Sequence, residues 1–403
     1  MTRRERVLNA VNFKPTDKLP RDLGGMASTG ISCFAYEKLV KYLGLPFRYV
    51  KVWDTGQMLA LPDLDVLDAL DCDAVMLSTD GITNAFEQPH LWKPYNFNGR
   101  LQSGAVVCPQ DFEIKPDGAI LQRGVMKMPP ESYVFDWPPA EFNLDFEPRK
   151  ENFADVEARL ESTMPNQERL RGLEKTCKRI RNESDRALFF SGCQSDLHLR
   201  GGMVNFGMLC LTEPDYVHEI NELVTKLSIK RLRLYLQAVG AYADIIMTAC
   251  EDFGTQNSTI ISPKNFDELF KPYFARVNAA VRKDCPKIKT FMHCCGAIYD
   301  IMDSVIEMGI DILNPVQWCG GGQGYQKWKD KARGRLALWG GGVNSQATLP
   351  LGSPDDINRE VKQVCRYFSK DSGYVFCCIH NILAEIPPEK AVAMYKAASE
   401  YNL

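Results

Sequence analysis

The sequence has little that would draw it to a polyanion or hold it in a membrane. Its 403 residues carry 48 lysines and arginines against 51 aspartates and glutamates, a formal net charge of −3. No basic field is therefore available for a nucleic acid or an anionic lipid surface. No run of about 18 apolar residues occurs, and no apolar signal-peptide segment follows the basic N-terminus. We expect a cytoplasmic protein with neither nucleic-acid nor membrane partners.

Nucleotide fingerprints are missing and histidine is scarce. The chain contains neither a GxGxxG nor a P-loop motif, the usual sequence signs of a bound dinucleotide or nucleoside triphosphate, and it has only five histidines. Cysteine, in contrast, is abundant, with 14 residues scattered along the chain. Because no export signal accompanies them, we interpret these cysteines as reduced thiols rather than a disulfide framework. A few of them can then serve as metal ligands.

From residue 185 onward, short apolar runs alternate with amphipathic helical segments. The runs are apolar on both faces, which is typical of a parallel sheet covered by helices. With DAVMLS at 73–78 and one earlier strand they make about eight β-then-α units, so we predict a (β/α)8 TIM barrel in preference to an open sheet. The runs are ALFFSG, ADIIMTACED, IKTFMHCCG, IDILNPVQ, LALWGGG and GYVFCCIH.

The segments before this repeat follow a different pattern. Helical spacing near the N-terminus and a small-residue loop, MASTGIS, indicate an α/β lead-in. Residues 82–150 contain FEIKPDGAILQRG, which predicts a hairpin around Pro116 to Gly118, followed by several prolines. We interpret 82–150 as a small excursion, an insertion within a single domain that spans residues 1–403.

Candidate metal ligands follow the ends of three predicted strands, where a barrel collects its chemistry. Side chains alternate along a strand, so His293 and Cys295 share one face while Cys294 lies on the other. In GYVFCCIH the same rule groups Cys378 with His380 and turns Cys377 away, toward the helices. Carboxylates end a third strand in ADIIMTACED. Imidazole, thiolate and carboxylate at one end of a barrel predict a zinc site.

Core packing is the competing explanation for each of these residues. Cysteine is among the most frequently buried residue types, so any single cysteine here can be structural. His293 with Cys295 is different, because a buried histidine needs a polar partner and the His-x-Cys spacing supplies a chelate. For His380, hydrogen bonding in the core is as good an explanation as coordination.

Five segments carry a family resemblance that extends over nearly the whole chain: RRERVLNAVNFKPTDKLP, EDFGTQNSTIISPKNFDELFKPYFARV, FMHCCGAIYDIMDSVIEMGIDILNPVQ, LWGGGVNSQATLP and GYVFCCIHNILAEIPPEKAVAMY. Together they resemble the uroporphyrinogen decarboxylase superfamily. More narrowly, they resemble its corrinoid-dependent methyltransferase branch, which includes coenzyme M methyltransferases and the methyltransferases of aryl ether O-demethylase systems. The resemblance implies a TIM barrel whose zinc is held by a His-x-Cys pair, matched here by His293 and Cys295, and by a third ligand near the C-terminus.

The third ligand is where the sequence departs from the family pattern. In the coenzyme M methyltransferases it is a cysteine in a Cys-Gly-Ile segment that precedes a Pro-x-Glu. The matching position here, seven residues before Pro387, is His380 in His-Asn-Ile. Either His380 replaces the cysteine, or Cys378 on the same predicted strand face takes its place. We predict the ligand set His293, Cys295 and His380.

The resemblance implies an enzyme that moves a methyl group, and we expect an aryl methyl ether as donor and the Co(I) of a corrinoid as acceptor. The chain has no Asp-x-His-x-x-Gly cobalamin segment, so the corrinoid must be carried by a separate protein. One alternative is transfer from a methylated corrinoid to a thiol or to tetrahydrofolate. A uroporphyrinogen-type decarboxylase is another, although LPRDLGGMASTGIS offers one arginine where those enzymes are arginine-rich. A non-enzymatic cobalamin-binding or redox-sensing module is a third.

Roles for individual residues follow from the predicted strand ends. We predict Glu251 and Asp252 as catalytic carboxylates and a small methylated substrate bound by Trp339, Tyr299, Asn314 and Gln317. An aryl ether also requires aromatic walls, and the aromatic residues on or near predicted rim segments are Trp53, Tyr299, Trp318, Trp339, Tyr374 and Phe376.

Overall fold

A computed structural model describes residues 1–86, 88–136 and 147–401. Glu87 and residues 137–146, both within the predicted excursion, lie outside the described residues. The strands within the described ranges are β1 (Val50–Asp54), β2 (Leu59–Ala60), β3 (Ala74–Ser78), β4 (Lys93–Tyr95), β5 (Gly104–Val106), β6 (Phe112–Ile114), β7 (Ile120–Gln122), β8 (Met126–Met128), β9 (Ala187–Ser191), β10 (Ile245–Cys250), β11 (Lys289–His293), β12 (Ile312–Asn314), β13 (Ala337–Trp339) and β14 (Tyr374–Val375).

Helices fill most of the intervening chain. Short 3-10 turns also occur at Ala27–Thr29, Pro89–Leu91, Pro109–Asp111 and Tyr299–Ile301. The α-helices are α1 (Arg3–Val11), α2 (Cys33–Tyr42), α3 (Leu64–Ala69), α4 (Phe153–Ser162), α5 (Gln167–Glu183), α6 (Met203–Thr212), α7 (Pro214–Val239), α8 (Pro263–Leu269), α9 (Lys271–Asp284), α10 (Met302–Glu307), α11 (Tyr325–Ala332), α12 (Thr348–Leu351), α13 (Pro354–Phe368) and α14 (Pro388–Ser399).

Seven strands form one parallel sheet in the order β14-β13-β12-β11-β10-β9-β3. The chain around Arg21 lies between the two edges of this sheet and bonds to both. Phe376 N donates to Pro20 O and Asp22 N donates to Phe376 O, each at 2.9 Å, while Asp73 N donates to Arg21 O at 2.7 Å. The ring therefore closes through a short extended segment in the eighth strand position. The predicted α/β fold of the TIM-barrel kind is confirmed.

Two apolar layers explain why the strands are apolar on both faces. Inside the ring, the aromatic rings of Phe189, Phe291 and Trp339 pack edge to face, and α1 covers one end with Val7 and Val11. Outside the ring, the opposite strand faces pack against the helices. Residues that alternate along a strand thus enter different cores, and the end of each strand decides which side chains reach the rim.

Helix α13 shows how the outer layer is specified locally. Ser353 caps it: the Asp356 N–H donates to the Ser353 hydroxyl at 3.2 Å, and the Asp356 carboxylate accepts the Ser353 N–H at 2.9 Å. This reciprocal box satisfies amide groups that a helix start leaves unpaired. Its buried residues recur at helical spacing and face the sheet: Ile357, Val361, Val364, Cys365 and Phe368.

The lead-in and the excursion form two smaller sheets beside the barrel. One has the order β2-β1-β5-β4 and the other the order β6-β7-β8. The predicted hairpin is present, because β6 and β7 pair antiparallel and Lys115 N donates to Ala119 O at 2.8 Å across the turn. Gly118 in that turn has φ +86, a conformation that favours glycine. Treating 82–150 as an insertion in one domain stays a prediction.

Across the described residues, no helix combines the length and apolar character needed to cross a membrane.

Candidate metal centre

Strand β11 delivers His293 to the rim of the barrel. Phe291, two residues earlier, lies in the interior cluster, whereas Met292 and Cys294 lie in the outer one. The predicted alternation on this strand is confirmed. His293 is 5% exposed, so its polar atoms must find partners within the protein or in a bound ligand.

The hydrogen bonds around His293 fix which ring nitrogen is free. Its Nδ1 lies 2.7 Å from Asn314 Oδ1, and Asn314 Nδ2 donates to the Trp339 carbonyl at 2.9 Å. Since the second bond orients the amide, its oxygen faces the ring and Nδ1 must carry the proton. Nε2 then presents its lone pair to the rim, an arrangement common among histidines that bind metals.

Cys295 is placed beside that lone pair by a tight backbone turn. Its Sγ lies 3.3 Å from His293 Nε2, and its N–H donates to Asp252 Oδ1 at 2.8 Å. Gly296 follows with φ +93, and a Cβ on it would overlap the backbone of Gly254. The turn after Cys295 therefore needs glycine on both sides of this contact.

His380 completes the cluster from the other side of the ring. Its imidazole lies edge to face with that of His293, with the centroids 5.7 Å apart. Ligand atoms of His293, Cys295 and His380 all fall within 4.8 Å of one another. We call these three residues the triad.

The predicted orientation of the two cysteines before His380 is wrong. Cys377 lies in the interior cluster with Val375, whereas Cys378 lies in the outer cluster with Phe376. Side chains do alternate along this segment. The prediction of which face points inward, however, assumes that His380 continues the strand, whereas the chain bends at residues 379–380. His380 thus reaches the triad by leaving the strand pattern. Cys378 instead donates its thiol hydrogen to the His380 carbonyl.

Burial favours the neutral form of all three triad side chains. It lowers the pKa of His293, and it lowers the pKa of His380 to about 4, helped by the neighbouring His293. Both imidazoles are therefore neutral at pH 7. Burial, followed by the negative charge of Asp252, raises the pKa of the Cys295 thiol. A metal that binds there must displace the thiol proton.

The donor set fits a zinc ion. Zinc–nitrogen bonds of about 2.0–2.1 Å and a zinc–sulfur bond of about 2.3 Å put tetrahedral ligand atoms about 3.5 Å apart. The distance from His293 Nε2 to Cys295 Sγ, 3.3 Å, already matches this spacing. Three protein ligands would leave the fourth position open, as in catalytic rather than structural zinc sites.

Comparison with known proteins shows the family to which the chain belongs. The uroporphyrinogen decarboxylase (URO-D) family model matches residues 141–401, which include the whole triad. The chain belongs to this family. The structure is also similar to that of a methyltransferase from Methanosarcina mazei, with a TM-score of 0.54 and 17% identity over 100% of both chains. At that identity the likeness shows a shared fold.

Curated members of the URO-D family match only in part. Uroporphyrinogen decarboxylase of Geotalea daltonii is 28% identical over 185 residues, 45% of this chain and 48% of that protein. The enzyme of Hydrogenovibrio crunogenus is 28% identical over 149 residues, 36% of this chain and 39% of that protein. The chain thus spans about half the length or less of these relatives.

The predicted catalytic carboxylates of this URO-D family member occupy different environments. Asp252 Oδ1 lies 3.8 Å from His293 Nε2, and the Asp252 side chain is 48% exposed. Glu251 is more enclosed: its carboxylate accepts N–H bonds from Leu199 at 3.0 Å and from Asp252 at 3.1 Å. Burial raises the pKa of Glu251. Asp252 is thus the carboxylate beside the triad, and Glu251 braces the loop that holds it.

Of the four predicted substrate-binding residues, two support the triad instead of facing an open space. Asn314 orients His293, and Gln317 Oε1 accepts the Gly296 N–H at 2.8 Å. Trp339 is fully buried, with Nε1 donating to Asp22 at 2.9 Å. Their roles toward a substrate stay predictions.

Tyr299 and two others of the six predicted aromatic residues belong to the outer layer and not to the surroundings of the triad. Tyr299 packs against Trp328 on α11, with their ring centroids 5.8 Å apart. Tyr374 and Phe376 belong to the outer cluster that contacts the helices. These rings stabilise the outer layer in the present structure.

Sequence reasoning missed Ser28 in the small-residue loop. Its hydroxyl oxygen lies 3.3 Å from His293 Nε2, and the residue is 7% exposed. The loop is held by backbone and side-chain bonds that no motif announces, such as the bond from Gly30 N to Asn381 Oδ1 at 2.9 Å. The only signal was the run of small residues in MASTGIS, which permits a close approach to the rim.

We predict that Asn314→Ala lowers zinc affinity about 10–100-fold, the usual effect of losing the partner that orients a histidine ligand. Competition with a chromophoric chelator measures the affinity. Asn278→Ala is the matched control: Asn278 is equally buried and also makes two bonds, to the Thr248 hydroxyl and the Met308 carbonyl. Equal zinc affinity in the two variants would show that Asn314 does not act through His293.

Proposed function

We propose that this protein is a zinc-dependent methyltransferase that moves a methyl group from an aryl methyl ether to the Co(I) of a separate corrinoid protein. In this reaction the bond between oxygen and the methyl carbon breaks and a carbon–cobalt bond forms. Co(I) supplies the electron pair and is formally oxidised to Co(III), while the aryl oxygen leaves as a phenolate. The chain's own contribution is to hold the donor and to stabilise that oxygen.

The observation that carries the proposal is the triad at the strand ends. Two neutral imidazoles and one thiolate leave a bound Zn2+ with a formal charge of +1. A zinc ion held there supplies Lewis-acid polarisation of an ether oxygen, which makes the phenolate a better leaving group. A second thiolate in place of His380 would have reduced that positive charge. The His380 substitution thus favours removal of a methyl group from an ether over activation of a thiol.

The remaining groups at the rim have supporting roles in this proposal. Asp252 is the carboxylate nearest the triad, and its half-exposed side chain can pass a proton from water to the departing phenolate. Ser28 lies within hydrogen-bond distance of the ligand nitrogen of His293. We propose Asp252 as the catalytic carboxylate, with Glu251 as the residue that positions it.

The burial and the ion pair of Arg21 argue against a polycarboxylate substrate. Arg21, the one arginine in LPRDLGGMASTGIS, is 3% exposed and bonds to Asp71. Its guanidinium is therefore already paired and unavailable to bind a substrate carboxylate. This separates the proposed reaction from the decarboxylation for which the curated relatives are named.

The testing experiment combines the zinc-loaded protein with a corrinoid protein reduced to Co(I) and a panel of methoxyaromatics, methanol and methylamines. We expect about one zinc per chain and the absorbance of methyl-Co(III) to grow only with methoxyaromatics. Protein stripped with a chelator should be inactive until zinc is restored. Methyl transfer from a methylated corrinoid to a thiol, with no transfer from any ether, would overturn the proposed direction.

A further inference from the structure

A cavity of about 600 Å³ opens beside His380, within the range typical of small-molecule sites. Three parts of the chain form its walls: the lead-in around Leu59, the end of the excursion around Tyr133, and the loop after His380. His380 belongs both to the cavity wall and to the triad. His380 is the triad residue on this wall, so a molecule bound in the cavity would lie next to one of the three candidate ligands.

Several large apolar side chains that are partly exposed to solvent line this cavity. Tyr133, Val134 and Leu383 are large apolar residues left 47%, 40% and 46% exposed, and all three line it. Met126 and Phe135 add further apolar wall. Exposed apolar side chains that converge on one concavity indicate a binding site, whereas scattered ones do not.

The walls are fixed before any ligand arrives. Phe135 N donates to Gly56 O at 3.1 Å and thereby joins the excursion to the lead-in. The ring of Tyr133 rests edge to face on that of Phe34, with centroids 4.9 Å apart. A preformed wall lowers the conformational cost of binding a rigid molecule.

The charges of the lining residues restrict the class of molecule that the cavity can bind. Among the described residues that line the cavity there is no lysine or arginine, and the one formally charged side chain is Glu385. The polar groups there besides His380 include Gln57 and Asn381, which are bonded to each other at 3.1 Å. A carboxylate or sulfonate would enter without a cationic partner, which is unfavourable in an apolar site.

We propose that this cavity binds the uncharged aromatic body of the methyl donor and directs its methoxy oxygen past His380 to the metal centre. This rests on the proposed function and adds to it a location and a charge class for the substrate. Tyr133, Val134 and Leu383 are then residues that determine specificity.

Calorimetric titration of the zinc-loaded full chain, without any corrinoid protein, tests the assignment. The probes share one ring and differ in charge: 4-methoxybenzyl alcohol, 4-methoxybenzoate and 4-methoxybenzylammonium. We expect the alcohol to bind at least about tenfold more tightly than the benzoate, because with the methoxy oxygen toward the metal centre the carboxylate would lie against described lining residues that include no lysine or arginine. Leu383→Trp, which fills the cavity, should weaken binding of the alcohol at least about tenfold. Leu351→Trp, on an exposed residue of α12, is the matched control and should bind like the unaltered protein.

A second variant tests the charge argument by gain of binding. Val134→Lys should bind the benzoate several-fold more tightly than the unaltered protein does. The assignment is overturned if the unaltered chain binds none of the probes, if it prefers the benzoate or the ammonium more than tenfold, or if the two tryptophan variants bind alike. The titration measures binding alone. A protein that binds the alcohol here but transfers no methyl group in the separate assay with the corrinoid protein would therefore overturn the proposed function and leave the cavity assignment in place.

Discussion

Cys295→Ala is expected to lose zinc and methyl transfer together, whereas Cys294→Ala keeps both. The thiol of Cys295 is one of the three proposed ligands, and two neutral histidines alone would not hold the ion at comparable strength. We expect an affinity loss of at least about a hundredfold, beyond the effect of losing an orienting partner. Metal content after gel filtration and the rate of methyl-Co(III) formation measure the two losses.

Cys294 is an informative control because it is also a cysteine and adjoins Cys295, but its side chain lies on the opposite face of the chain. Cys294 is fully buried in the outer layer, where Phe253 N donates to its Sγ at 3.3 Å. Its replacement by alanine should lower the unfolding free energy by about 1 kcal/mol through a small cavity. A Cys294→Ala protein that loses zinc while Cys295→Ala retains it would show that the register of β11 is wrong.

The residue pattern alone was sufficient to predict the barrel and the pairing of His293 with Cys295, two of the three triad residues, for identifiable reasons. Strands that are apolar on both faces imply helices on one side and a filled interior on the other, and this constraint also placed His293 at a strand end. His293 and Cys295 lie close enough in sequence that one strand and one turn bring them together. Local spacing was therefore enough for this pair.

Long-range contacts account for what the sequence could not give. The position of Ser28 depends on a loop held from the far end of the chain by Asn381. The wall containing Tyr133 depends on how the excursion packs against the lead-in. Neither relation has a period or a motif, because each joins segments that are distant in sequence.

The wrong prediction for the orientation of Cys377 and Cys378, just after β14, has a physical cause. Alternation gives the two faces of a strand but not which one points inward, and the histidine chosen to decide that question lies beyond the end of the strand. The observed clusters show Cys377 inside and Cys378 outside. A bend of the backbone at residues 379–380 thus brings His380, the predicted candidate ligand, to the triad without changing the alternation.

That bend makes His380 the subject of the sharpest remaining test. We expect His380→Ala to lose zinc affinity by at least about a hundredfold and to lose methyl transfer with it. His380→Cys should restore zinc binding, but a second thiolate lowers the charge of the centre and should leave transfer from an ether slow. Chelator competition and the formation of methyl-Co(III) distinguish these two effects.

Cys378→Ala is the matched control for His380→Ala. The Cys378 thiol lies in the outer layer and bonds to the carbonyl of His380 rather than to the triad, so its loss should leave zinc in place and reduce activity only slightly. A His380→Ala protein with full zinc and full activity would remove His380 from the ligand set. If Cys378→Ala were then the variant that lost zinc, the thiol would be the third ligand, and the centre would suit activation of a thiol better than cleavage of an ether.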